Sequence, residues 1–484
     1  MYELLSPVDP KAIVKYMGYF LIAFAFVLAV PMIAAIILGD GEAAFFYGIT
    51  SAAVLGIGYI IHNIMPDYDL DNKEALIIAA IAFPVSAFIS AIPMSMSTGM
   101  TFIDAFFESV SAVTTTGLSV APLDVGPVFF FARSWSQWVG GIGIILVVLS
   151  ILIRPGTSAF RIYKVNYGDM KFKPTVIATT RTLGKVYVII TLISLTLLML
   201  SGMSFFDAIC HAFSCVSTGG FSTRPESIGA FEGSWIPFSI SLSCLLGAVS
   251  FILYPTLLKK PKKFFQDLEL RYFLLFVALG TLLFTLALSH NDPVMNIPKD
   301  NLFHIISAIT TAGFSTFDLS LLSDASKAVL IFMMWMGGNI GSTAGGIKIF
   351  RVILLFKLAH NVVLRLMIPK EAITPIKMEK HIVESDEIYN LSTYMLLYVV
   401  ILIASSFIFM LHGVSAGDAM FEVSSALSTV GLSAGMTGVG MPTILKMVLC
   451  IDMLFGRIEI IPLMVLFMPS TWIRIKRRRR GTKL

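Results

Sequence analysis

Residues 104–119, DAFFESVSAVTTTGLS, form a pattern that recurs three more times along the chain. The other copies are DAICHAFSCVSTGGFS at 207–222, DNLFHIISAITTAGFS at 300–315 and DAMFEVSSALSTVGLS at 418–433. They align without an insertion and share five identical positions: an aspartate, then serine, threonine, glycine and serine at seven, eleven, thirteen and fifteen residues beyond it. Four matched copies indicate an internal repeat, and such a repeat sets the architecture of the whole chain.

The composition predicts that this repeat lies in a membrane. The chain has 484 residues, of which 56% are hydrophobic and 13% charged, and its mean hydropathy is +0.85. A soluble core stops growing at about 250–300 residues, so lipid is the expected solvent for this much apolar surface. The four cysteines form no CxxC pair, which argues against a zinc site or a disulfide framework.

Apolar stretches long enough to cross a bilayer, about 20 residues each, flank every copy. The copies themselves are apolar over about half that length, so they predict short re-entrant helices. We therefore expect an all-α integral membrane protein with about ten transmembrane helices, four re-entrant pore helices and four helix–pore–helix units in pseudo-fourfold symmetry. The predicted spans are 13–38, 44–64, 74–97, 126–153, 181–203, 234–258, 270–289, 325–366, 388–412 and 441–469.

The spans and copies divide the chain into six parts. Two transmembrane helices come first, four pore units follow, and a basic cytoplasmic tail ends the chain. Only the third unit is expected to have a broken second helix, because its span is too long for one simple helix. The predicted boundaries are 1–70, 71–155, 156–260, 261–370, 371–473 and 474–484.

Basic residues predict the orientation of the spans. They concentrate in the loops 154–185 and 259–271 and in the tail, which fall on one side if ten helices span the bilayer. Loops rich in lysine and arginine stay in the cytoplasm, so we expect a multi-pass protein of the cytoplasmic (inner) membrane with both termini inside. The acidic loop 65–74 does not fit, but acidic residues carry little weight in this rule.

Each copy has the parts of a potassium-binding pore segment. We expect the aspartate to cap a short helix and the glycine to end it, since glycine reaches positive φ without a Cβ penalty. The negative end of the helix dipole then favours a cation at the membrane centre, and backbone carbonyls replace its hydration shell. The predicted filter residues that bind K⁺ are Thr114, Thr115, Thr116, Gly117, Ser217, Thr218, Gly219, Gly220, Thr310, Thr311, Ala312, Gly313, Ser428, Thr429, Val430 and Gly431.

The copies differ four residues after the aspartate, where Glu108, His211, His304 and Glu422 stand. Two interpretations are open for these side chains. They either tune the vestibule or its response to pH, or serve as polar anchors satisfied by hydrogen bonds. Two histidines at equivalent positions of a ring are not assured of meeting, so a metal site does not follow from them.

The second helix of the third unit contains GGNIGSTAGGIK at 337–348, with five glycines. Each glycine costs about 1 kcal/mol relative to alanine in a helix, so we expect an intramembrane loop at 341–346 that acts as a gate. The run lacks the GxxxxGK[ST] pattern of a phosphate loop. Lys348 and Arg351 either form an electrostatic barrier or extend to the interface. The predicted gate residues are Gly341, Ser342, Thr343, Ala344, Gly345, Gly346, Lys348 and Arg457.

Charged residues also lie within the last predicted span, where each needs a partner. Arg457 and Glu459 are two residues apart, so they do not face each other on a helix. Arg457 is expected either to face the pore below the filter or to form an ion pair with another helix. In the first unit, Gly140 and its neighbouring glycines suit close helix packing, and Arg133 is expected to bind carbonyl groups near the outer mouth.

Together these motifs resemble the Trk/Ktr/HKT superfamily of potassium transporters, and its TrkH type in particular. The likeness rests on SWSQWVGGIGI at 134–144, GGNIGSTAGGIKIFR at 337–351, GRIE at 456–459 and the four filter segments, and it covers essentially the whole chain. It implies K⁺ as the transported and bound ion, with no organic cofactor. It also implies that the loop is a gate with Arg457 as a barrier beside it, and that Gly117 favours potassium over sodium.

The resemblance further implies partners. It suggests a homodimer with a pore in each subunit, surrounded by membrane lipids. It also suggests a cytosolic TrkA-like ring of nucleotide-binding regulatory subunits on the basic inner face, and no contact with nucleic acid.

Other functions were weighed against a potassium-selective pathway. A poorly selective monovalent cation pathway stays open, because each copy offers one short T-x-G segment. An alternating-access carrier with a midplane site fits less well, since the units repeat in parallel. An enzyme is not expected, because the sequence has no HExxH motif and no evident nucleophile–base pair.

Overall fold

The part of the chain that the structure describes folds almost entirely into helices. The computed structural model describes residues 8–66, 68, 72–122, 124–152, 176–291, 300–369, 374–378, 381–458 and 460–472. In these residues the one sheet is an antiparallel pair of two-residue strands, β1 (Lys377–Met378) and β2 (His381–Ile382). Two short 3₁₀ turns cover Ser227–Ala230 and Leu319–Leu321. The basic residues predicted at 154–173 and 474–484, and Glu459, lie outside the described residues.

Two long helices, α1 (Pro10–Leu38) and α2 (Gly41–Ile64), precede the repeat. Gly39 ends α1 with a φ of 78°, and the side chain of Asp40 caps α2 by accepting a hydrogen bond from the Ala43 backbone N–H. The indole N–H of Trp135 donates to the Val27 carbonyl over 3.0 Å. This bond attaches the leading pair to the first unit.

The rest of the chain forms four units, each with a long helix, a short helix and a further helix that is continuous or broken. The helices of the first two units are α3 (Asn72–Thr98), α4 (Phe102–Val113), α5 (Pro127–Leu152), α6 (Val176–Leu200), α7 (Phe205–Val216), α8 (Trp235–Ala248), α9 (Tyr254–Lys259) and α10 (Pro261–Phe265). Those of the last two are α11 (Leu268–Asn291), α12 (Asn301–Ile309), α13 (Asp324–Met336), α14 (Ile349–Met367), α15 (Ser385–Leu411), α16 (Ala416–Leu427), α17 (Thr443–Ile458), α18 (Ile460–Phe467) and α19 (Pro469–Trp472).

Six of the described helices are long and apolar enough to cross a bilayer: α1, α2, α3, α6, α11 and α15. Their outer surfaces are apolar, as Leu200 (80% exposed) and Ile37 (77% exposed) illustrate. The filter threonines, in contrast, are fully buried at the centre of the fold. Apolar residues outside and polar residues inside are the arrangement that lipid favours. The expected all-helical membrane fold is confirmed.

The second unit contains a break that the sequence analysis missed. The span predicted at 234–258 is wrong as one continuous helix, because α8 ends at Ala248 and α9 begins only at Tyr254. Pro255 has no backbone N–H and suits the first turn of a new helix. The carbonyls of Gly247 and Ala248 accept hydrogen bonds from the broken segment of the third unit, which replaces the next helical turn. The third unit's own break, between α13 and α14, lies where it was predicted.

Candidate functional site

In three of the four units, the N-cap of the short helix is a serine or threonine. Thr101, Ser204 and Ser415 each accept a hydrogen bond from the backbone N–H of the aspartate three residues later. Each of these hydroxyls donates in turn to the carboxylate of that aspartate over 2.8–2.9 Å. The prediction that the aspartate is the N-cap is therefore wrong for Asp104, Asp207 and Asp418.

The third unit has its aspartate at the N-cap position, but the carboxylate accepts from the Thr316 hydroxyl and makes no capping hydrogen bond to the backbone. Asp300 is the N-cap of α12, and position 297 is an isoleucine, which has no hydroxyl to offer. The pattern search missed the hydroxyl caps because only three of the four copies have one.

Each short helix ends in a turn that begins before the conserved glycine. Thr115, Thr218, Thr311 and Thr429 have φ between 51° and 56°, and the glycine two residues later also has positive φ. The glycine was predicted to end the helix, but the threonine two residues earlier already adopts the left-handed conformation. In the first unit the N–H groups of Thr115 and Thr116 fold back onto the carbonyls of Ala112 and Ser111. This turn satisfies the end of the helix.

The turns bring the four segments together in a closed ring. A Cβ on Gly117 would overlap the Gly219 carbonyl oxygen, and one on Gly220 would overlap that of Ala312. A Cβ on Gly313 would overlap the carbonyl oxygen of Val430.

The fourth contact closes the cycle. A Cβ on Gly431 would overlap the Thr116 carbonyl oxygen, so each unit's glycine packs against the residue that precedes the glycine of the next unit. Glycine is required at all four positions both for its conformation and for this close approach.

The ring presents oxygen atoms. The hydroxyl oxygens of Thr115 and Thr429 are buried and have no hydrogen-bond partner among the described residues. The Thr311 hydroxyl accepts a hydrogen bond from the Gly345 N–H over 2.7 Å, and the Thr218 hydroxyl donates to the Ser217 carbonyl. The described residues contain no cluster of His, Cys, Asp and Glu suited to a transition metal. Neutral carbonyl and hydroxyl oxygens are the ligand type that hard, weakly charged cations prefer.

The residues four places after the aspartate are anchors for the segment that leaves the ring. Glu108 Oε1 accepts hydrogen bonds from the Ser119 hydroxyl and from the Val120 and Ala121 backbone N–H groups. Glu422 Oε1 does the same for Ser433 and two backbone N–H groups of the fourth unit. All of these carboxylate contacts are made within the same unit.

The two histidines hold the same segment in their own units. His211 Nε2 lies 3.0 Å from the Ser222 hydroxyl, and His304 Nε2 accepts from the Thr316 N–H over 3.3 Å. All four side chains at this position are fully buried. Of the two interpretations left open, the polar anchor describes these contacts.

Two ion pairs join neighbouring units at the start of the short helices. Lys327 Nζ lies 2.7 Å from Asp418 Oδ1, and Lys446 Nζ contacts Asp104 Oδ1. In both pairs the lysine side chain is 8% exposed and the carboxylate 23% exposed. The lysine comes from the helix after the preceding unit's filter, so each pair clamps one unit to the next. Sequence reasoning missed them, although each lysine follows its own unit's aspartate by nearly the same interval.

The first unit supports the ring from behind. The Gln137 side-chain amide donates to the Gly219 carbonyl, and its oxygen accepts from the Phe221 N–H over 3.4 Å. A Cβ on Gly140 would overlap the Val113 carbonyl oxygen, which explains the close packing predicted for this helix. Arg133 donates to the Ser222 carbonyl and also pairs with Glu108 at 3.4 Å, while its predicted position near the outer mouth stays a prediction.

The segment between α13 and α14 lies directly against the ring. The N–H of Gly345 donates to the Thr311 hydroxyl, and the N–H of Gly346 donates to the Ser428 carbonyl over 3.0 Å. The Thr343 hydroxyl lies 2.8 Å from the Val216 carbonyl, at the end of the second unit's short helix. We call residues 337–348 the intramembrane loop. It is buried throughout except at positions 340 and 348, which are half-buried.

Arg457 completes the contacts between the loop and the four units. Its guanidinium donates to the Thr343 carbonyl over 2.7 Å and to the Gly140 carbonyl of the first unit over 3.2 Å, and the residue is 3% exposed. These contacts are with backbone carbonyls, and the two roles left open for Arg457, a pore-facing cation and an ion pair with another helix, stay predictions. Lys348 Nζ folds back onto the Ala344 carbonyl within the loop.

Two further charged residues of the third and fourth units also make contacts inside the protein. The Arg351 guanidinium lies over the Tyr394 ring, 4.3 Å from its centroid. The two roles left open for Arg351, a barrier and an extension to the interface, stay predictions. Asp452 is buried and accepts a hydrogen bond from the Ser405 hydroxyl over 2.8 Å.

A helical membrane fold in which four re-entrant segments close a ring of oxygen atoms defines a cation-transporting membrane protein. Comparisons with known proteins agree. The sequence profile of the TrkH family, described as cation transport proteins, matches residues 43–474. The chain therefore belongs to the TrkH family, whose members are cation transporters and not enzymes.

Relatives match over most of the chain. The Trk system potassium uptake protein TrkH of Salmonella typhimurium is 31% identical over 480 residues, which cover 96% of this chain and 99% of that protein. An uncharacterised cation transporter of Methanocaldococcus jannaschii is 32% identical over 417 residues, 85% of each chain. The crystal structure of the potassium transporter TrkH from Vibrio parahaemolyticus superimposes with a TM-score of 0.85 at 27% identity, covering 96% of this chain and 100% of that one.

Proposed function

We propose that this chain is a potassium-selective, channel-like uptake protein of the cytoplasmic membrane, and that K⁺ passes through the ring of four filter segments. The observation that carries the proposal is the closed cycle in which each filter glycine packs against a carbonyl of the next unit. A closed cycle of backbone sets the diameter of the opening at its centre, and so limits which ions can pass. Relatives named as potassium uptake proteins match nearly the full length of the chain.

The chemistry of the ring suits a dehydrated alkali cation. Carbonyl groups beside Gly117, Gly220, Gly313 and Gly431 offer neutral oxygen ligands. So do the hydroxyls of Thr115 and Thr429, for which the described residues supply no hydrogen-bond partner. Several weak oxygen ligands replace the hydration shell without holding the ion too tightly to leave. Carboxylates are absent from the set because Glu108 and Glu422 are engaged with backbone N–H groups of the segments that leave the ring.

We further propose that the intramembrane loop is the gate. Its contacts with Thr311, Ser428 and Val216 place it against the filter segments of three units, and Arg457 links it to the first. Ions would pass only after these contacts break. In this role Arg457 holds the loop through backbone carbonyls and adds a positive charge beside the path.

The orientation and the partners are also proposals. The exposed lysines at 259, 260, 262 and 263 favour a cytoplasmic position for this connector, and hence for both termini. This face would receive a ring of nucleotide-binding regulatory subunits, and the whole would form a homodimer in lipid.

Growth of a bacterium that lacks its own potassium uptake tests the function. We expect the wild-type chain to restore growth at low external K⁺, and a chain with Gly313→Ala to fail although it reaches the membrane in equal amount. Gly413→Ala is the matched control, because Gly413 also has positive φ (86°) but a Cβ there would meet no atom within 4 Å. If the wild-type chain does not restore growth, or if both variants restore it equally, the proposal is wrong.

A further inference from the structure

The connector between the second and third units touches the intramembrane loop at both of its ends. At one end, the N–H of Phe251 donates to the Gly341 carbonyl over 3.0 Å. At the other end, Glu269 Oε2 accepts a hydrogen bond from the Ile340 N–H over 2.8 Å. The two contacts involve adjacent residues of the loop, Ile340 and Gly341. Both precede the two glycines, Gly345 and Gly346, through which the loop contacts Thr311 and Ser428.

The contact with Glu269 satisfies a group that the helix break has exposed. Where a helix is interrupted inside a membrane, each backbone N–H needs another partner. A carboxylate is a strong acceptor for it, since hydrogen bonds to charged groups are about twice as strong as neutral ones. Glu269 is 5% exposed and lies in the first turn of α11, where the helix dipole stabilises a negative charge.

The second contact rests on a rigid base. Phe251 is fully buried and packs edge-on against the Tyr187 ring at 5.5 Å. The Tyr187 hydroxyl donates to the Trp138 carbonyl in the first unit over 2.9 Å. The backbone at position 251 therefore has little freedom to follow the loop, so movement of the loop requires this hydrogen bond to break.

We propose that Glu269 is a positioning residue that holds the intramembrane loop in its closed position, with the Phe251 N–H as the second point of the same latch. The segment between the two points carries Lys259, Lys260, Lys262 and Lys263, all exposed. A force that displaces this segment is therefore transmitted to the loop through both hydrogen bonds, that of Phe251 and that of Glu269. This inference rests on the proposed role of the loop as the gate.

Rubidium flux into proteoliposomes tests the latch. We expect Glu269→Gln to raise basal Rb⁺ flux about fivefold to tenfold, because a neutral amide oxygen replaces a charged acceptor. In a chain that lacks residues 341–346, the same substitution should change nothing further. Asp267→Asn is the matched control, since Asp267 accepts from the Leu270 N–H at the start of the same helix. Its flux should equal that of the wild type.

Hydrogen exchange supplies a second readout. Exchange at the Ile340 amide should become faster in Glu269→Gln and stay unchanged in Asp267→Asn. If Glu269→Gln does not give a monodisperse protein, Glu269→Asp replaces it, because the shorter side chain withdraws the carboxylate from Ile340 and should raise flux in the same direction.

Three results would overturn the latch. The first is wild-type flux in both Glu269 variants while the loop deletion raises flux, which refutes the latch alone. The second is an equal rise from Glu269→Gln with and without the loop, which shows that Glu269 acts elsewhere. The third is a loop deletion that leaves flux unchanged in folded protein, which refutes the gate and the latch together.

Discussion

Gly431 of the fourth unit packs against the carbonyl oxygen of Thr116 in the first unit, so closely that a Cβ would overlap it. This contact closes a cycle that runs once through all four units. A ring of backbone needs no side chain at the point of closest approach, and its diameter depends on every member. Substitution of any one of the four glycines is therefore expected to alter the geometry of the whole ring.

The first prediction concerns the glycine of the first unit. Gly117→Ala should lower the ratio of Rb⁺ to Na⁺ flux, because the added Cβ displaces the Gly219 carbonyl and the residue has a φ of 97° that costs alanine about 1–2 kcal/mol. Gly99→Ala is the control, since Gly99 shares a positive φ (70°) and a Cβ there would have no atom within 4 Å. Equal ratios of Rb⁺ to Na⁺ flux in the two variants would show that Gly117 does not determine ion selectivity.

The second prediction concerns the anchor of the intramembrane loop. Thr343→Val keeps the shape of the side chain but removes the hydroxyl that bonds to the Val216 and Gly247 carbonyls. The loop should then open more readily, and basal Rb⁺ flux should rise by about fivefold, the equivalent of one hydrogen bond of about 1 kcal/mol. Thr343→Ser keeps the hydroxyl and should behave as the wild type. A rise in the serine variant alone would be inconsistent with this anchor.

The third prediction concerns Arg457. Arg457→Gln should speed conduction, because the carbonyls of Thr343 and Gly140 lose their shared donor and the loop loses its link to the first unit. Leaving two buried carbonyls without this donor should also lower the free energy of unfolding by about 1–3 kcal/mol. The initial rate of Rb⁺ flux measures the change in conduction, and thermal unfolding in detergent measures the change in stability. Slower conduction by folded Arg457→Gln would mean that the arginine does not restrain the loop.

The fourth prediction concerns the clamps between units. Lys446→Met should lower the free energy of unfolding by about 1–3 kcal/mol, and with it the melting temperature, because the Asp104 carboxylate loses its buried lysine partner. Arg224→Met is the control. Arg224 lies 3.8 Å from Asp207 with 54% of its side chain exposed, and exposed pairs contribute about 0–1 kcal/mol. Similar melting temperatures for both variants would show that the clamps do not stabilise the ring.

The sequence predicted the features that depend on local patterns. Four matched copies indicated four re-entrant helices, and the glycines at 337, 338, 341, 345 and 346 indicated the interrupted helix, because both depend on the conformational preferences of adjacent residues. The close approach behind each filter glycine could not be read from one copy, since the carbonyl it contacts belongs to the next unit.

The features that were missed depend on contacts between distant residues. The break after Ala248 occurs in an apolar stretch, and its free carbonyls are satisfied by the loop of another unit. The partner of Lys446 is Asp104, 342 residues earlier in the chain. The two backbone carbonyls that Arg457 contacts, those of Thr343 and Gly140, are far from it in the sequence and could not be predicted from its own span. Tertiary contacts decided each of these cases.

The central claim is that the ring of four segments conducts K⁺ selectively. Flux of Rb⁺ into proteoliposomes that contain a high internal concentration of K⁺ measures it most directly, with K⁺ or Na⁺ added outside as a competitor. The account predicts Rb⁺ uptake above that of empty vesicles, which external K⁺ suppresses and equal Na⁺ does not. Absence of uptake, or equal suppression by Na⁺ and K⁺, would contradict it.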